Sequence, residues 1–147
     1  MTWKTAYLET RILSASPLEL ISILYEYAVL RVQEARESLA RGDIAGRARA
    51  VSKTIAILGE LETCLDHKRG GAIASNLARL YRYMRDRLTL ANVKQADEPL
   101  EEVEALLATL SEAWQAIAGE RAGAPADWGS LSAIEAPADW SAQAWSA

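Results

Sequence analysis

The chain has 147 residues, half of them hydrophobic, a single cysteine and a formal net charge of −4. That length suits one domain burying roughly two-thirds of its unfolded surface, and a lone Cys64 excludes an intrachain disulfide and suits a reducing compartment. No apolar run approaches the ~20 residues of a membrane span, and an acidic balance argues against nucleic acid as the main partner.

Residues 1–13 hold Trp3, Tyr7, Leu8, Ile12 and Leu13 and read as an apolar arm. They lack the apolar core of a secretory signal, so a cytoplasmic protein without membrane insertion is expected. The first helix opens at Ser16-Pro17-Leu18-Glu19. Ser16 can cap, Pro17 suits the first helical position, and Glu19 completes a capping box. Ile21, Leu24, Ala28, Val32, Ala35 and Leu39 then mark one face at helical spacing. Arg41-Gly42-Asp43 ends this helix and starts the next.

The second helix is expected from Asp43 to Leu65, with Ile44, Ala48, Val51, Ile55, Leu58 and Leu65 on its face. Gly59 suggests a close approach of another backbone. Asp66 to Gly71 reads as a break. The third helix runs from Gly71 to Lys94 with Ile73, Leu77, Leu80, Met84, Leu88 and Ala91 inward. Asp97-Glu98-Pro99 opens the fourth, with Val103, Leu107, Leu110, Trp114 and Ile117 inward and Gly119 as its stop. No segment alternates with a period of two, so no sheet is expected. Four helices joined by three short connections predict an all-α, antiparallel up-down-up-down four-helix bundle over residues 14–118. Two arginine clusters, Arg41/Arg47/Arg49 and Arg79/Arg82/Arg85/Arg87, read as solvated helix faces.

Residues 119–147 change in character. They are rich in Ala, Ser and Trp, and Ala124-Pro125-Ala126-Asp127-Trp128 returns as Ala136-Pro137-Ala138-Asp139-Trp140. Each Asp could cap a short helical turn. Trp128, Trp140 and Trp145 suggest a tail that docks on the bundle or on a neighbouring subunit.

Nothing in the chain reads as an enzyme. His67 is the only histidine, and with Cys64 alone it makes no zinc site. Gly70-Gly71 lacks the Lys-Ser/Thr of a phosphate loop, and Glu101, Glu102 and Glu104 form no Glu-x-x-His pattern. Neither a cofactor nor a metal is expected. What remains is a binding surface. Leu20, Ile23, Tyr27 and Leu30 add apolar groups beside the core stripe of the first helix, and from Gln33 onward the outer face turns polar. Apolar surplus at one end of a helix suits a groove for an amphipathic or extended apolar segment.

Ser14-Ala15-Ser16-Pro17-Leu18-Glu19-Leu20-Ile21 with Leu24-Tyr25 resembles the opening helix of the FliS family, the flagellin-specific export chaperones of the bacterial flagellum. Leu65-Asp66, Lys68, Gly70-Gly71, Ile73-Ala74, Asn76-Leu77, Leu80-Tyr81 and Tyr83-Met84 resemble that family's most recognisable stretch. Arg87-Leu88, Ala91-Asn92, Glu101 to Val103, Leu107, Leu110 and Ala113-Trp114 continue the similarity, which covers roughly residues 7–118.

The resemblance implies a four-helix bundle that holds the C-terminal segment of flagellin in the cytoplasm. Holding it prevents premature polymerisation and keeps the subunit competent for export. By motif position it implies Tyr7, Ile21, Leu24, Tyr25, Asn76, Leu80, Tyr81, Tyr83 and Met84 as partner-binding residues, with Leu80 and Met84 leaning towards core. It implies that residues 1–13 cover a hydrophobic site until flagellin arrives. Export-gate components or a co-chaperone are further candidate partners, and the chain is expected as a monomer or weak homodimer. A helical adaptor or regulator, such as a co-chaperone or anti-sigma factor using the same groove, is the alternative. His67-Lys68-Arg69 departs from the more acidic family pattern, and the tail after Gly119 lies outside it.

Overall fold

Four helices follow one another along residues 17–120, the part of the chain that the computed structural model describes. They are α1 (Pro17–Arg41), α2 (Ile44–Thr63), α3 (His67–Lys94) and α4 (Glu98–Glu120). No strand occurs among the described residues. The expected arm at residues 1–13, the capping Ser16 and the tail beyond Glu120 lie outside them. Each helix packs on its neighbours in sequence, and α1 also packs on α4, so the four close into a ring with α1 diagonal to α3. This is the antiparallel bundle that the periodicity predicts.

The connections are built from local chemistry. At the end of α1 the Gly42 N–H donates to the Leu39 carbonyl and the Asp43 N–H to the Ser38 carbonyl, with Gly42 at φ +74°. These paired bonds are the Schellman stop, which needs a left-handed residue. Asp43 then turns cap, its Oδ1 accepting from the Gly46 N–H at 2.9 Å. Two residues therefore end one helix and begin the next. Asp66 likewise caps α3 by accepting from the Lys68 and Arg69 N–H groups. The expected break survives inside α3 as a kink: Gly71 sits at φ +51°, ψ −122°, a conformation open to glycine almost alone. One capped turn, residues 67–70, precedes it.

The core runs through all four helices. Tyr25, Ala28, Val32 and Ala35 of α1 meet Val51, Leu58 and Leu61 of α2, Leu80, Tyr81, Met84 and Leu88 of α3, and Leu100, Val103, Leu107 and Trp114 of α4. Several residue-level readings change. Ile44, expected on the inward face of the second helix, is exposed. Arg47 is buried, not solvated: its Nε donates to the Asn92 Oδ1 at 3.0 Å, tying α2 to the end of α3. Gly59 meets no other backbone, since a Cβ built there finds nothing within 4 Å. The tight glycine is Gly46, where a Cβ would lie 2.3 Å from the Asp43 carboxylate and 3.0 Å from the Ser38 hydroxyl.

Opposite outcomes follow for two alanine substitutions. Gly59→Ala should raise stability by up to about 1 kcal/mol, the helix-propensity gain with no clash. Gly46→Ala should lower it by about 1 kcal/mol by displacing the Asp43 cap. Urea unfolding of both variants checks this; equal signs would contradict it.

Charge is segregated between neighbours. The α3 segment carries seven lysines and arginines against one acid, Asp86, a net +6. The α4 segment carries six glutamates and no basic residue, a net −6. The seam between them is stitched by Glu102, which accepts from the Tyr83 hydroxyl and from the Arg87 Nε at 3.1 Å.

Candidate functional site

The partner-binding residues expected from the sequence fall into three environments. Ile21, Tyr25, Leu80, Tyr81 and Met84 are core residues, each buried in the cluster shared by the four helices. Leu24 and Tyr83 are half-buried and pack against that cluster from its edge. Asn76 is exposed on α3. Tyr7 lies outside the described residues.

The buried members converge at one place. Tyr25 of α1 and Tyr81 of the diagonal helix α3 meet hydroxyl to hydroxyl across the bundle axis. Trp114 of α4 stacks on Tyr25 with ring centroids 6.1 Å apart and 25° between planes. Burial pushes the Tyr25 phenol well above the ordinary tyrosine value, and burial together with the neighbouring Tyr25 does the same to Tyr81. Both stay neutral donors and acceptors. These groups set the identity of the core, and a partner touching them has to open the bundle first.

Groups within direct reach of a partner lie around this centre. On α1, Leu20 and Tyr27 are half-buried and Leu30 is 52% exposed. The Arg31 guanidinium lies over the Tyr27 ring, 4.7 Å from its centroid. Ile23 behaves differently: it is 4% exposed yet stands outside the common core cluster. Ile73 and Tyr83 of α3 and Ile117 of α4 add half-buried apolar surface. Half-buried apolar surface thus gathers on the N-terminal part of α1, as the pattern of the sequence suggests, while Ile44 at the start of α2 is 61% exposed and Val93 at the end of α3 is 71% exposed.

A second concavity was not visible in the sequence. Gln33, Arg36, Glu37, Leu39, Ala40, Asp97 and Glu104 line a cleft of about 570 Å³ between α1 and the start of α4. Arg36 grips Asp97 with two bonds of 2.8 and 2.9 Å and reaches Glu104 at 3.1 Å. The hydrogen bonds from Arg36 hold the Asp97 carboxyl below its usual range. Arg36 is the one cation among three carboxylates here, Glu37, Asp97 and Glu104, and the two it pairs with present no activated nucleophile or base. Arg36 and Asp97 are 61 residues apart, so no local motif announces them. Among the described residues no His, Cys, Asp and Glu side chains gather in a metal-holding group, and no helix is long and apolar enough to cross a membrane.

Comparison of the sequence with known proteins identifies a family. The family described as Flagellar protein FliS matches residues 2–121. The chain is 42% identical over 110 residues to the flagellar secretion chaperone FliS of Salmonella typhimurium, covering 74% of this chain and 82% of that one. It is 37% identical over 110 residues to the flagellar secretion chaperone FliSB of Pseudomonas aeruginosa, covering 75% and 87%. The flagellar secretion chaperone FliS of Campylobacter jejuni is 33% identical over 112 residues, 76% of this chain and 88% of that one.

Proposed function

Since the chain belongs to the FliS family and is a flagellar secretion chaperone, we propose that its cargo is the C-terminal segment of flagellin, held in the cytoplasm. Bound there, the segment is kept from premature polymerisation and remains competent for the flagellar export gate. One observation supports this reading above the others. Leu20, Tyr27 and Leu30 of α1 lie beside the core stripe and, with Leu24 at its rim, stay half-buried or exposed, while the same helix turns polar from Gln33 onward. Such a surface suits an amphipathic segment that folds as it docks, because apolar contact tolerates a helix sliding into register. Leu24, Tyr83 and Asn76 are the expected binding residues available without opening the core, and Ile21, Tyr25, Leu80, Tyr81 and Met84 would support them from beneath. Export-gate components or a co-chaperone would meet the loaded complex.

Calorimetry with a peptide from the last ~40 residues of the host's flagellin tests this. One-to-one binding with a large negative heat-capacity change is expected, the mark of burying roughly 1,000–3,000 Å² with coupled folding. Leu30→Asp should leave folding within about 0.5 kcal/mol, as an exposed change, and lower affinity by about tenfold, or 1.4 kcal/mol. No heat from the full chain at any temperature would reject flagellin as cargo. Heat from another flagellar export protein on the same groove would then favour the adaptor reading.

A further inference from the structure

Among the described helices α3 has the largest excess of basic residues. Arg85 is taken by Glu62 and Arg87 by Glu102, both at the seams with neighbouring helices. Arg79 and Arg82, one turn apart, are exposed and make no ion pair among the described residues. Exposed Lys68 continues the charge towards the start of the helix. On a chain of net charge −4, unpaired arginines side by side invite an anionic or aromatic partner, since a guanidinium both pairs with carboxylate and stacks on indole.

The same chain supplies that chemistry. Residues 122–147 contain no lysine or arginine and three acids, Asp127, Glu135 and Asp139. Two of these acids stand directly before a tryptophan in the repeated Ala-Pro-Ala-Asp-Trp, and the repeat lies beyond the family match, which ends at residue 121. An Asp-Trp pair offers a carboxylate and an indole face together, matching both capacities of a guanidinium. The path is short enough. Because α3 and α4 are adjacent and antiparallel, the end of α4 at Glu120 lies at the same end of the bundle as the start of α3. Arg79 stands eight residues beyond the Gly71 kink, a rise of about 12 Å. The eight residues from Glu120 to Trp128 span up to about 28 Å when extended.

We propose that the segment 124–140 docks on the outward face of α3, with its Asp-Trp pairs as anchors on Arg79 and Arg82. The occupant is this chain's own segment. The contact is electrostatic and aromatic, so it loosens with salt and leaves the core untouched.

Fluorine NMR of the full-length chain grown with 5-fluorotryptophan tests it, with Trp128→Phe and Trp140→Phe assigning the signals. Trp128 and Trp140 signals displaced from the position of free tryptophan are expected. They should return to that position at high salt and in Arg79→Glu/Arg82→Glu, but stay displaced in Arg49→Glu/Lys53→Glu, which reverses exposed charges on α2. Circular dichroism should show both double variants folded. Signals at the free position in the unmodified chain would overturn the proposal. So would displacement that ignores Arg79→Glu/Arg82→Glu, that responds equally to both double variants, or that appears only as protein concentration rises.

Discussion

Replacing Trp114 by alanine is expected to destabilise the chain by about 3–5 kcal/mol, the usual cost of deleting a fully buried large aromatic. Trp114 is 1% exposed, the largest of the fully buried side chains. Its removal leaves a void beside Tyr25, where α1, α3 and α4 meet. The structure cannot collapse to fill that gap without moving α1 or α3. Urea unfolding followed by far-UV circular dichroism measures it. Trp114→Phe keeps a ring against Tyr25 and should recover part of the loss, whereas Gln115→Ala, on the exposed side of the same turn, should stay within about 0.5 kcal/mol. A loss below about 1.5 kcal/mol for Trp114→Ala would mean that the core is not organised around this residue.

The paired hydroxyls of Tyr25 and Tyr81 set up the second expectation. Tyr25→Phe should cost about 1–3 kcal/mol, because it strands a buried donor or acceptor. Tyr81→Phe should cost about as much, because each single variant takes away the hydroxyl that the other meets. The double variant removes both sides of the diagonal bond and should cost less than the sum of the singles, which a double-mutant cycle resolves. Additive losses would show that the hydroxyls act independently.

The same pair predicts an alkaline limb. Burial raises both phenols above their ordinary value, so above about pH 10 the unfolded chain releases protons that the folded chain retains. The native state then binds more protons than the unfolded state, and stability falls as pH rises. That fall should be shallower in Tyr25→Phe/Tyr81→Phe, which has neither phenol to titrate.

Much of the fold was legible because it rests on local signals. The Arg41-Gly42-Asp43 elbow and the 3.6-residue spacing of apolar groups each act within a few residues of sequence. The candidate site was legible only in part. Periodicity places Leu24 on the inward stripe of the first helix and Leu80 on that of the third, yet Leu80 is sealed in the core while Leu24 lies at its rim. That difference depends on how far the neighbouring helix leans over each residue, which no single helix encodes. Arg47 misled for the same reason. An arginine between Arg49 and Arg41 looks solvated until Asn92, 45 residues away, comes to receive it. The Gly71 kink falls where the glycine pair predicted interruption, but Asp66 caps one helical turn ahead of it.

The opposite charges of α3 and α4 bear on kinetics. A single overall charge of −4 describes how the molecule migrates, not how it is met. Neighbouring helices of +6 and −6 give the bundle an electric dipole lying across its long axis. A charged chain diffusing towards it is turned by that field before any atom touches, so encounters are sorted by orientation. The gain is one of association rate and shrinks as ionic strength rises, while the dissociation rate is left to the apolar surface.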